Sequence, residues 1–349
     1  MERLERQKNR EITIQPTEMS AVEAIVGTLG SCMGCMVVVE NIAKKEPSSM
    51  NLMTFATFFF IASQGLIFTS KFFTQPNKIP LRGYRAVIFW FFIVNVINNQ
   101  ALNYHVPVPL HIIFRSGSLL ASLVLTKLLQ GKNYSSRKYA SVIAITLGIV
   151  ICTLATSHQG DSEMSYEEAS KHFYEWCIGI SMLTFALLAS AYMAICQERM
   201  YAQYGKHPTE AMFVTHFAAL PFFALMGSDI LRSAERFSQS PHELFGIPVP
   251  IPNMWLNLLA NCVLQYYCIK FVYQLTSEVE SLTVTLVVTL RKFLSLIVSI
   301  WWFQNPFTSQ HWIGAILVFV GTLAFADIWD GLWKRLSGQK TIKESKKTK

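Results

Sequence analysis

Charge is scarce in this 349-residue chain: Asp, Glu, Lys and Arg make up 15% of it, against about 25% in a soluble globular protein. So few charged groups cannot cover a soluble surface, and 52% hydrophobic residues is too many for a disordered chain. Polar, Pro/Gly-rich linkers are missing too, although the length would suit two or three ordinary domains. All seven cysteines lie in apolar stretches, so the loops hold no disulfide framework of a secreted module. Cys32-Met-Gly-Cys35 has the spacing of a redox or metal pair, but inside an apolar helix small-residue packing is the plainer reading. No Walker loop, Gly-rich dinucleotide turn, HExxH or GxSxG motif occurs, and the eight histidines form no metal-like cluster. No catalytic residue, metal or cofactor is therefore expected, and the chain does not read as an enzyme.

What is present is apolar residues in blocks of about twenty, the length a helix needs to cross roughly 30 Å of hydrocarbon. Ten such spans are expected near 20–40, 51–70, 86–104, 107–128, 139–157, 174–197, 210–228, 253–273, 280–303 and 311–330. The fold class is thus all-α integral membrane. The first span is thinned by Gly27, Gly30, Ser31 and Gly34, residues that favour close helix packing. Residues 1–19 are polar and charged, so no cleavable signal is expected, and span 1 would serve for targeting.

Sidedness follows from the basic residues between spans. With both termini cytosolic, 21 Lys and Arg fall on the cytosolic side and five on the other, namely Lys44, Lys45, Lys171, Arg232 and Arg236. That imbalance fixes the orientation. The sequon Asn133-Tyr134-Ser135 then lies in a cytosolic loop, where it stays unused.

Spans 4–5 and 9–10 resemble each other. Tyr134-Ser135 and Phe307-Thr308, Tyr139 and Trp312, and Gly148 and Gly321 are all separated by 173 residues. Each set follows a span carrying an arginine, Arg115 or Arg291, and spans 3 and 8 each carry amides one turn apart (Asn95, Asn99, Asn103; Asn257, Asn261, Gln265). A repeat unit of five spans inverts the second copy, an architecture of secondary transporters with substrate near the midplane. The expected organisation is a tail at 1–19, five-helix halves at 20–157 and 174–330, and a basic tail at 331–349, forming one transporter domain.

Arg115, Arg291 and Lys292 lie inside spans, where a charge costs about 2.5–3.5 kcal/mol. No carboxylate is central: Glu23, Glu40, Glu175, Glu210, Glu280, Asp327 and Asp330 all sit near span ends. Cations without matched carboxylates imply an anionic ligand or a wet cavity. Helical spacing agrees, because His111, Arg115, Ser118 and Ser122 form one stripe, and Ser281, Thr285, Thr289, Lys292, Ser295 and Ser299 another. Hydroxyls alone would read as helix–helix glue; with Arg and Lys in the stripe, a pathway for a phosphorylated solute fits better. Asn98, Asn99 and Tyr104 in span 3, with Tyr266 and Tyr267 in span 8, are candidates for a base or sugar, packing being an equal alternative.

Val96–Tyr104 (VINNQALNY), Pro109–Leu119 (PLHIIFRSGSL), Gly205-Lys206-His207, Leu282–Phe293 (LTVTLVVTLRKF) and Phe303–Thr308 (FQNPFT) carry a resemblance. In these stretches the chain resembles nucleotide-sugar transporters of the drug/metabolite transporter superfamily, in the branch of UDP-N-acetylglucosamine/UDP-xylose transporters. The resemblance implies ten helices in two inverted five-helix repeats. It also implies antiport of cytosolic nucleotide sugar for luminal nucleoside monophosphate. It assigns the diphosphate to Lys292, in Leu290-Arg291-Lys292, and the nucleobase to Phe213-Val214-Thr215-His216. That last motif lacks the family's second aromatic residue and its Asn, which keeps GDP-fucose or a mixed UDP/GDP range as alternatives. Arg115 is added on its position as a phosphate or sugar contact.

The tail ends Lys346-Lys347-Thr348-Lys349, resembling a dilysine retrieval signal of endoplasmic-reticulum membrane proteins read by coat machinery, with a generic basic tail as the alternative. The expected partners are the nucleotide sugar, the monophosphate and the lipid bilayer, with no nucleic acid; the oligomeric state, homodimer included, is left open. From another class, a membrane-bound glycosylation enzyme or a lipid-phosphate carrier is the runner-up. The loops near 158–173 and 229–252 hold Asp161, Glu163, Glu167, Glu168 and His172 without a recognisable catalytic arrangement.

Overall fold

The computed structural model describes residues 21–131, 134–157, 166–244, 246–278 and 281–325. Both tails, with Lys346 and Lys347, and the sequon residue Asn133 lie outside them. The described chain is helical apart from one two-stranded hairpin. In order, α1 is Ala21–Lys45, α2 Met50–Phe68, α3 Leu81–Gln100, α4 Val108–Ser116, α5 Ser118–Gln130, α6 Ser136–Ser157 and α7 Tyr166–Tyr204. They are followed by α8 Pro208–Ala219, α9 Gly227–Ser238, β1 Glu243–Leu244, β2 Ile247–Pro248, α10 Asn253–Glu278, α11 Ser281–Phe303 and α12 Ser309–Phe325. Local chemistry sets the ends. Pro80 and Pro107 precede α3 and α4, Pro208 opens α8, and Gly131 at φ +65° closes α5 by donating to the Lys127 carbonyl at 3.0 Å.

Eight stretches are long and apolar enough to cross a membrane among the described residues. The two expected spans outside that set are α10 and α12. At 26 residues α10 is long enough, about 39 Å, but Asn253, Asn257, Asn261 and Gln265 dilute it. α12 is strongly apolar, and 17 of its residues are described.

Two spans differ from the uninterrupted helices expected. Span 4 is interrupted at Gly117, whose amide bonds the Phe114 carbonyl at 2.9 Å, so α4 ends with Arg115 in its last turn. Span 7 passes through the 3-10 segment Leu220–Met226 into α9, which carries Asp229, Arg232, Glu235 and Arg236 and buries Ser233 and Phe237. Pro221 in that segment removes a backbone donor, which favours the change of winding. α7, with 39 residues, is about 58 Å long, nearly twice the hydrocarbon thickness, so it projects beyond it.

Two antiparallel helix pairs organise the bundle. Along α1 and α10 the contacts run Gly27 to Phe271, Cys32 to Cys268, Cys35 to Gln265 and Asn41 to Asn257. This register bonds Cys32 to Cys268 in a disulfide. Cys32 therefore does more than fill space, contrary to the packing expected of it; it meets a cysteine 236 residues away, a separation no local spacing reveals. Along α6 and α12, Gly148 faces Gly314: a Cβ on Gly148 would sit 2.5 Å from the Gly314 carbonyl oxygen. The outer faces stay apolar, with Ile143, Leu147, Val150 and Leu154 on α6 and Ile313, Ile316 and Val320 on α12 all exposed, as a surface meant for lipid requires.

Candidate functional site

The bundle encloses a cavity with two lobes, of about 310 and 330 Å³, that share Cys35, Met36, Asn95, Asn98, His111, Arg115 and Gln265. Each is the size of a small-molecule site. The first lobe is cationic. Arg115 from the last turn of α4 and Arg291 and Lys292 from the middle of α11 line it, with Ser118, Ser190 and Ser295. No Asp or Glu is among the described lining residues of either lobe. Lys292 Nζ donates to the Arg115 backbone carbonyl at 3.5 Å, and Arg291 Nη1 to Cys268 Sγ at 3.4 Å. Arg115 lies mid-bundle yet is exposed, because the cavity gives its guanidinium free surface.

The second lobe is uncharged beyond Arg115 at the junction. Asn95, Asn98 and Asn99 of α3, Asn261 and Gln265 of α10, Gln197 of α7 and Thr215 and His216 of α8 line it, beside Phe58, Phe91 and Tyr273. Several of these amides are held in place. Asn99 Nδ2 donates to Thr54 Oγ1 at 2.6 Å, Asn261 Nδ2 to Thr57 Oγ1 at 3.2 Å, and the Cys35 thiol to Gln265 Oε1 at 2.9 Å. His111 Nε2 donates to the Asn98 carbonyl at 3.0 Å, tying α4 to α3. The result is an array of fixed donors and acceptors beside a cluster of cations.

The structure brings Lys292, Arg291, Arg115, His111, Asn98, Asn99, Thr215 and His216 to this cavity. His216 is wedged between the rings of Phe58 and Phe91, at centroid distances of 4.9 and 4.8 Å, and donates through Nδ1 to the Met212 carbonyl. Phe213 lies outside both lobes. It is 3% exposed and packs onto Gly65 of α2 and the ring of Phe73, on the side of α8 opposite Thr215. Tyr104 also lies outside, against Gly179 of α7, and Thr289 is buried away from the lining. The side chain of Thr285 is outside the described residues. Ser190 and Gln197 on α7 carried no sequence signal, since a lone serine or glutamine on a long helix shows no direction until its neighbours are known.

A cationic pocket joined to an amide-rich one suits an anion with a hydrogen-bonding head. The sequence comparisons decide the family: residues 20–329 match the model of the UAA transporter family. The chain belongs to the UAA transporter family. This UAA transporter is 46% identical over 304 residues to the nucleotide sugar transporter SLC35B4 of Macaca fascicularis, covering 86% of this chain and 92% of that protein. It is 47% identical over 324 residues to the endoplasmic reticulum GDP-fucose transporter of Drosophila melanogaster, covering 88% and 91%. Over 330 residues it is 44% identical to the UDP-xylose and UDP-N-acetylglucosamine transporter of Danio rerio, covering 94% and 100%. The family and these relatives are nucleotide-sugar transporters and not enzymes. The nucleotide sugars for which these relatives are named carry phosphate.

Proposed function

We propose that this UAA transporter is an antiporter that carries UDP-N-acetylglucosamine, UDP-xylose or both from the cytosol into the lumen of the endoplasmic reticulum or Golgi, in exchange for nucleoside monophosphate. The observation that carries the proposal is the cluster of Arg115, Arg291 and Lys292 on a lobe with no carboxylate among its described lining residues. In this reading the diphosphate lies at the junction of the lobes, against Arg115 and Lys292. The base lies in the uncharged lobe with Thr215, His216, Asn98 and Asn99, and the sugar in the cationic lobe near Ser118 and Ser190. Phe213 acts from behind, by seating α8 against α2. An Asn or Gln amide offers both donor and acceptor, matching the edge of a nucleobase.

We also propose ten crossings in two inverted halves, 20–157 and 174–330, with both termini cytosolic. The antiparallel packing of α6 on α12 and of α1 on α10 supports it, because an odd and an even crossing must run in opposite directions. Residence in the endoplasmic reticulum is supported by the name of the Drosophila relative and by the dilysine at Lys346 and Lys347. That relative is also the reason to keep GDP-fucose as a second reading.

The test is uptake by full-length protein in proteoliposomes loaded with UMP or GMP, using labelled UDP-N-acetylglucosamine, UDP-xylose and GDP-fucose. Intact UDP-sugar should accumulate only with UMP inside. Accumulation of GDP-fucose alone would replace the substrate assignment, and uptake independent of internal monophosphate would remove the exchange mechanism.

A further inference from the structure

We infer that Glu40 is a positioning residue for transport: it latches α1 to the end of α11 and closes the luminal end of the bundle. The inference rests on the transport reading and the orientation above. Glu40 is 2% exposed and Ser299 1%. One carboxylate oxygen of Glu40 accepts from Ser299 Oγ at 2.9 Å and from Asn305 Nδ2 at 2.5 Å. Asn305 reaches this position because Gln304 takes φ +52° and turns the chain back. Its amide then also donates to the Ser299 carbonyl at 2.9 Å and to Ser299 Oγ at 3.0 Å. One turn beyond Glu40, Lys44 Nζ donates to the Phe303 carbonyl at 2.7 Å, satisfying an orphan acceptor at the C-terminus of α11. Two side chains of α1 thus grip the last turn of α11.

The latch is in line with the cargo site. Ser299 follows Lys292 by two helical turns, so it lies on the same face of α11, with Ser295 of the cationic lobe between them. Neutralising Lys292 with phosphate changes the forces on the helix whose end Glu40 holds. Other contacts close the same end between the halves: Arg236 with Glu46 at 3.2 Å, Asn51 with Asp229 at 2.7 Å, and His105 with Glu175 at 2.9 Å. The Arg236–Glu46 ion pair and the His105–Glu175 contact are partly exposed, and Asp229 is only half-buried against Asn51, so water weakens all three. The Glu40 network is buried, where each bond holds more strongly. It is the link most able to decide whether this end opens.

The reporter is Cys35, a free thiol lining both lobes. Full-length protein in oriented proteoliposomes is exposed to a membrane-impermeant maleimide from one side at a time, and the Cys35 peptide is quantified by mass. Glu40→Ala and Asn305→Ala should raise labelling from the luminal side by about tenfold, the shift that losing one buried charge-assisted bond gives a two-state gate. Labelling from the cytosolic side should not rise. Glu40→Gln, whose amide oxygen still accepts both bonds but without the charge, should label less than Glu40→Ala does and no more than a fewfold above the unmodified protein. If Glu40→Ala fails to insert, Asn305→Ala and Ser299→Ala carry the same comparison. Luminal labelling unchanged in the inserted variants, or raised equally from both sides, would overturn the latch. The readout needs no substrate, so absent nucleotide-sugar uptake would count against the transport reading alone.

Discussion

Lys292→Ala separates a cation that waits for a ligand from one that holds the fold. The ammonium of Lys292 has the Arg115 carbonyl at 3.5 Å, shares its lobe with two further cations, and faces no carboxylate among the described lining residues. Holding a charge at that depth costs about 2.5–3.5 kcal/mol. Removing it therefore relieves the empty carrier, and its melting temperature should stay level or rise. A phosphate oxygen bound by that ammonium contributes about 1.5–3 kcal/mol as a charge-assisted hydrogen bond. Losing it weakens nucleotide binding by about 10- to 150-fold. Two measurements check this: exchange of external UDP-N-acetylglucosamine for internal UMP in proteoliposomes, and thermal unfolding with and without UMP. The variant should lose most uptake and most of the ligand-induced rise in melting temperature. Unchanged uptake would refute the role. So would a fall of the ligand-free melting temperature, because breaking a buried ion pair costs about 3–5 kcal/mol and relieving an unpaired charge does not.

Phe213→Ala should destabilise the protein by about 3–5 kcal/mol through the cavity it leaves at Gly65, while KM for nucleotide sugar in the folded fraction stays within about twofold; a large KM effect at constant stability would put Phe213 in the binding site. Gly148→Ala should lower the melting temperature, since its Cβ would stand 2.5 Å from the Gly314 carbonyl oxygen and forcing backbones apart costs about 1–3 kcal/mol; an unchanged melting temperature would mean that α6 and α12 do not pack this closely. Peptide mapping without reductant should recover Cys32 joined to Cys268 and Cys35 as a free thiol, and Cys32 joined to Cys35 would contradict the register of α1 on α10. Replacing Lys346 and Lys347 by Ser should move the protein from the endoplasmic reticulum toward the Golgi under fluorescence microscopy, and an unmoved protein would leave the tail as an orientation signal.

Much of the site was legible in the residues because membrane chemistry makes exceptions conspicuous. A cation in an apolar block stands out without any structure, as Arg115, Arg291 and Lys292 do, and all three line the cavity. Polar residues of ordinary cost did not stand out in this way. Tyr104, Asn98 and Asn99 are near neighbours in one segment and looked equivalent, yet only the two amides reach the cavity. Phe213 and Thr215 share one motif and lie on opposite sides of α8. Helical phase relative to an unknown partner separates them, and hydropathy carries no such information.

The sequence by itself determined the solvent of this protein, the stretches apolar enough to cross it, and the charges that cannot be there for the lipid. Each of those is a local sum over some twenty residues, so no fold is needed to read it. The tertiary structure decided which helices touch. Only the antiparallel register of α1 on α10 brings Cys32 to Cys268, and only the turn after α11 carries Asn305 to Glu40. A carboxylate near a span end reads as solvated until packing places Ser299, 259 positions further along the chain, against it. Contacts at that separation depend on how whole helices pack, and packing is a property of pairs of surfaces that no single stretch of sequence contains.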